Sequence, residues 1–106
     1  MTVSRYTLVF APKAIDHLQV VDWKYHGLIQ RTIRERLSFA PEKVSRNRKL
    51  LGRPAPGGAT WELRFGPNNR FRVFYEVHPA EKEVWILAVG VKERNRLMIG
   101  REEFPT

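Results

Sequence analysis

The chain has 106 residues, 42% hydrophobic and 28% charged, the profile of one globular domain spanning residues 1–106. That length supports one compact core and excludes a full dinucleotide-binding domain or a TIM barrel. The longest apolar stretch, Val84–Val89, cannot cross a bilayer, and the absence of cysteine excludes disulfides, thiol catalysis and cysteine-based metal sites, while a net charge of +8 points to an anionic partner.

Tyr6–Phe10 is rich in β-formers and predicts a first strand. Pro12 suits the first turn of a short helix over about Lys13–Gln19 that buries Ile15 and Leu18. Asp22 is placed to cap a longer helix to about Phe39, with Tyr25, Leu28, Ile29, Ile33 and Leu37 at helical spacing. Pro41–Thr60 shows no clear period. It carries Arg46, Arg48, Lys49 and Arg53, then the breaker run Pro54–Gly58. Glu42–Leu51 is expected to be partly ordered, with Leu50 and Leu51 as its anchors.

Trp61–Phe65 alternates, with Trp61, Leu63 and Phe65 on one face and Glu62 and Arg64 on the other. Gly66–Asn69 is a strong turn signal, and Arg70–Val77 alternates again, which together predict a hairpin with a four-residue connection. Glu83–Val89 is apolar on both faces, as in a buried central strand, and Gly90 is expected to end it. Lys92–Ile99 then reads as a loop or helical turn. The order implies an α+β fold with a mostly antiparallel sheet.

The charge is concentrated. Lys43–Arg72 holds eight basic residues and one acid, Glu62, and arginine outnumbers lysine thirteen to six in the whole chain. Arginine grips phosphate through a planar fork, where lysine offers a point charge. Alternation brings Arg64 and Arg72 out on one face of the hairpin, where like charges placed opposite each other repel. Either an anion is expected there, or Glu62 and Glu76 neutralise the pair. Lys92, Arg94 and Arg96 form a second cluster beyond the central strand, and Arg46, Arg48 and Lys49 a third. His17, His26 and His78 lack ligand spacing, so no metal and no cofactor is expected, and they read as helix-surface or turn residues. Trp61 and Tyr75 are placed on the core face rather than on a base-stacking surface. The N-terminus shows no long apolar run with a cleavage site behind it, so a cytoplasmic location and no membrane partner are expected.

The run WELRFGPNNRFRVFYEVHPAEKEVWILAVGVKERNRL, Trp61–Leu97, resembles the RelE/ParE superfamily of bacterial toxins. Its features are a basic strand, a short turn, an Arg-φ-φ-Tyr strand at Arg72–Tyr75, an apolar strand closing on Gly90, and a basic cluster after it. Tyr6–Leu37 matches the family's opening more loosely. The resemblance implies an N-terminal strand and two helices, a curved antiparallel sheet and a short C-terminal helix. It implies either ribosome-dependent cleavage of mRNA without metal, or inhibition of DNA gyrase, with a cognate antitoxin as partner. An orphan relative that binds RNA or a partner without catalysis is the third possibility. Carried over, Arg72, Arg64, Lys92 and Arg94 are the catalytic cluster, with Glu62 as a base or a salt-bridge partner. Arg46, Arg48, Lys49, Arg70 and Arg96 are further RNA contacts. Two positions depart from the pattern: Glu62 stands where a second basic residue is expected, and no tyrosine occurs near Met98.

Overall fold

The computed structural model describes residues 5–52 and 55–105. Arg53 and Pro54, in the predicted basic and breaker runs, lie outside the described residues. The elements are β1 (Thr7–Phe10), α1 (Pro12–Val20), α2 (His26–Leu37), β2 (Arg48–Leu50), β3 (Trp61–Phe65), β4 (Phe71–His78), β5 (Glu83–Glu93), β6 (Arg96–Ile99) and β7 (Glu102–Phe104). Seven strands form one sheet in the order β2-β3-β4-β5-β6-β7, with β1 added parallel to β5. The fold is α+β, two helices on a curved, mostly antiparallel sheet.

Pro12 opens α1, as its fixed φ favours. Starting there, the inward stripe is Ala14 and Leu18, and Ile15, expected in the core, is 45% exposed. Asp22 caps a 3₁₀ turn, Trp23–Tyr25, through Oδ1 and the Lys24 N–H (3.2 Å). That turn runs directly into α2, whose Ile29, Ile33 and Leu37 are buried at i, i+4 spacing. The helix stops at Leu37, two residues before the predicted end, and the chain turns at Ala40 (φ 48°).

The stretch read as a long loop contributes a strand. β2 pairs with β3, and Arg48 holds it in place by donating from Nη1 to the Arg36 and Ala40 carbonyls, each at 3.0 Å. Leu51 packs on the sheet, but Leu50 is exposed and anchors nothing. The Tyr75 hydroxyl reaches the Pro41 carbonyl (2.8 Å) from within the core, and burial pushes that phenol well above its ordinary range.

β5 organises the molecule. Its first half pairs with β1, its second half with β6, and its other edge with β4. Its register against β4 shifts at Phe74/Tyr75, which face Ala88 and Ile86 and leave Leu87 as a bulge. The bulge inverts the alternation. Ile86 and Val89 both face the helices, while Leu87 and Ala88 both face away. This is the physical basis of the two apolar faces read in the sequence. The main core lies between helices and sheet, with Trp61 and Tyr75 stacked in it at 6.0 Å. A smaller cluster, Ala59, Phe74, Ala88 and Leu97, covers the opposite face.

Three further expectations are corrected. Gly90 does not end β5, which continues to Glu93. The expected C-terminal helix is a pair of strands, β6 and β7, reached through turns at Arg94 (φ 57°) and Gly100 (φ 62°). Arg70 belongs to the β3–β4 connection, Gly66–Arg70, rather than to the strand.

Candidate functional site: an arginine pair with a resident carboxylate

On the helix-free face, strand pairing sets Arg64 opposite Arg72, Arg72 opposite Gly90, and Gly90 opposite Ile99. The row behind holds Lys49, Glu62, Phe74 and Ala88, and the row ahead Lys92, Leu97 and Phe104. A Cβ at Gly90 would lie 2.5 Å from Ile99 Cδ1 and 3.1 Å from Leu97 Cδ1. Only glycine lets those side chains lie down over β5 in the arginine row.

The Glu62 carboxylate bridges the pair. Oε1 accepts from Arg64 Nε at 2.6 Å, and Oε2 stands 3.5 Å from Arg72 Nη1. Arg72 Nε donates to the Asn69 carbonyl (2.9 Å). That carbonyl is presented by a turn with Gly66, Asn68 and Asn69 all at positive φ. Gly66 is required twice over, since a Cβ there would also lie 2.5 Å from Phe71 Cδ2. Glu62 and Arg72 are buried, with side chains 5% and 8% exposed, while Arg64 is 31% exposed. Burial and the neighbouring Arg64 lower the Arg72 pKa, and Glu62 opposes them. A guanidinium remains a cation at neutral pH all the same. The neutralising network expected in the sequence therefore forms through Glu62. Glu76 instead lies 3.7 Å from His78 Nε2.

Beside this triad lies a groove of about 620 Å³, lined by Glu62, Arg64, Phe74, Leu97, Phe104 and Leu51 among others. β3 and β7 are far apart in the strand order yet border the same groove, which measures how far the sheet curls.

The structure thus gathers Glu62, Arg64 and Arg72, with Lys49 and Lys92 in the adjoining rows. The other candidates lie elsewhere. Arg70 turns to the helix side, 5.4 Å from the ring centroids of both Tyr25 and Phe71 and 3.7 Å from Glu93. Arg94 and Arg96 line a separate hollow with Glu93 and Met98, and Arg96 is bonded to Glu103 (2.9 Å). Arg48 faces the helices as a structural clip, and Arg46 is exposed in the connection before β2. Met98 pairs with Val91 and lines a helix-side hollow with His17 and Tyr25, so the position without its tyrosine does not face Arg64 and Arg72.

One polar residue was not legible beforehand. His17 reaches into the break between β1 and β6, where Nδ1 accepts from the Val89 N–H (3.3 Å). Burial lowers its pKa; Asp16 opposes that and Lys13 adds to it. Nothing in the sequence marks this contact, because it depends on where two unrelated strands stop. Among the described residues no cluster of three or more His, Asp or Glu side chains could hold a metal ion, and no helix is long and apolar enough to cross a membrane.

No family model and no curated protein sequence matches the chain. Among solved structures, it is similar to a chain of the toxin–antitoxin complex RelBE2 from Mycobacterium tuberculosis. The identity is 23% and the TM-score 0.70, over 86% of this chain and 95% of that one. The fold is RelE-like.

Proposed function

We propose that this RelE-like fold serves as the toxin of a toxin–antitoxin pair and cuts mRNA on the ribosome. The carrying observation is the Arg64–Arg72 pair, set opposite each other on a concave sheet face. Cutting RNA through its own 2′-OH requires a proton acceptor, a proton donor to the leaving oxygen, and positive charge on the developing phosphorane. The arginine pair, with Lys92 one row ahead, supplies the positive charge. The neighbour's assembly as a toxin–antitoxin complex supports an antitoxin as partner, and a net charge of +8 suits an acidic one. A ribosomal substrate places the chain in the cytoplasm.

The test is primer extension on a message in a purified translating system. Wild type should introduce cuts within codons only when ribosomes are present. Arg64→Ala and Arg72→Ala should each lower cutting by about a hundredfold or more. Because Arg72 is buried, its melting curve must accompany the assay. A folded wild type that makes no cuts at saturating concentration overturns the ribonuclease.

A second reading, RNA binding without catalysis, is favoured by one observation. Both Glu62 oxygens lie against guanidinium groups, so that carboxylate is not a free proton acceptor. That protein would bind RNA in a salt-sensitive way and leave it intact.

A further inference from the structure

We propose that Glu62 is a gate: its carboxylate occupies the anion seat between Arg64 and Arg72, so the seat opens only to an RNA strand already anchored elsewhere. This deepens the RNA-directed reading above and rests on it.

The argument starts from repulsion. Two arginines directly opposite on adjacent strands destabilise the sheet unless a counter-charge joins them. In the free protein Glu62 is that counter-charge, at 2.6 Å from Arg64 Nε and 3.5 Å from Arg72 Nη1, inside a site that excludes water from Arg72. An RNA phosphodiester carries the same single negative charge as the carboxylate it must replace. Charge alone therefore gives it no advantage. Glu62 is also attached to β3 and presents itself at the high effective concentration of an intramolecular partner. A free nucleotide or short RNA loses that competition. A strand held by remote contacts has binding energy to use for displacing Glu62. Lys49, directly across from Glu62 on β2, and Lys92, in the row ahead, flank the seat and can follow the backbone of such a strand. The gate makes the site inert toward loose RNA and responsive to docked RNA.

The experiment measures binding of a short labelled 2′-O-methyl RNA, which cannot be cut, by wild type, Glu62→Gln, Arg64→Gln and the double variant. Wild type should bind weakly, because the seat is already filled, and Arg64→Gln measured alone is the reference for the double variant. Glu62→Gln should bind at least about tenfold more tightly, the value of one charge-assisted contact. Its salt dependence should steepen by roughly 0.7 in log–log slope, as one further single-strand phosphate is engaged. Adding Arg64→Gln to Glu62→Gln should erase the gain, a coupling that a merely structural Glu62 would not produce. If Glu62→Gln does not fold, Glu62→Asp, too short to hold both arginines, should shift affinity in the same direction by a smaller factor.

A folded Glu62→Gln that binds no more tightly than wild type overturns the gate. If wild type nevertheless cuts ribosome-bound message, the toxin reading stands without it. An Arg64-dependent gain in a protein that cuts nothing keeps the gate and removes the ribonuclease.

Discussion

Arg48 and Arg46 are two residues apart and equally basic, yet the structure separates them. Arg48 spends its guanidinium on two backbone carbonyls at the end of α2, while Arg46 is exposed. Arg48→Ala should cost about 1–2 kcal/mol of stability, and Arg46→Ala should stay within roughly 0.5 kcal/mol, measured by denaturant unfolding. If RNA affinity falls with Arg46→Ala but follows stability alone in Arg48→Ala, the two roles are separated. His17 makes the second residue-scale prediction. It accepts a hydrogen bond only while neutral, and burial lowers its pKa. The unfolded chain therefore binds a proton more readily than the native one. The stabilisation is complete above the ordinary histidine pKa of about 6.5 and is lost as pH falls through the lower native value. Melting temperature should drop over that window in wild type and drop less in His17→Gln, whose amide oxygen can still accept from Val89. A pH profile identical in the two would disprove the assignment.

At the scale of elements, β3 and β4 were legible because one residue in two is apolar and the connecting turn is rich in Gly, Pro and Asn. That alternation places Arg64, Arg72 and Glu62 on one face. It failed where the period breaks. The bulge at Leu87 inverts the two faces of β5 in mid-strand, and neither β6, with three apolar residues in a row, nor β7, with one, displays a period of two. Turn residues carry no alternation, so the sides taken by Arg70, Arg94 and Arg96 had no signal. Gly90 shows the same limit. A glycine after an apolar run usually closes a strand, but here it sits within one and makes room for Ile99 and Leu97. Gly90→Ala should destabilise the protein by about 1–3 kcal/mol through overpacking. Adding Ile99→Val, which removes the Cδ1 atom that the new methyl group meets first, should recover part of that loss. No recovery in the double variant would mean that the crowding comes from Leu97 or the Met98 carbonyl instead.

For the molecule as a whole, the family resemblance read from Trp61–Leu97 predicted the architecture because that stretch contains most of the sheet. The resemblance implied a curved sheet, but not that β3 and β7 would border one groove, since that depends on the summed twist of every strand between them. β5 also imposes an order in time. It is the only strand partner of β1 among the described residues, and it closes the arginine row through Gly90. It is also made after β1 to β4. A growing chain that has made β1 through β4 still lacks the strand that joins its two ends. At a few to some twenty residues per second, the interval lasts roughly seconds. During it Arg72 lacks its neighbour on β5, and β1 has nothing to pair with. A protein proposed to attack the translation machinery is thus unfinished while that machinery is making it. The order in which the strands are made thus sets when the arginine row closes, after β5 has joined β4.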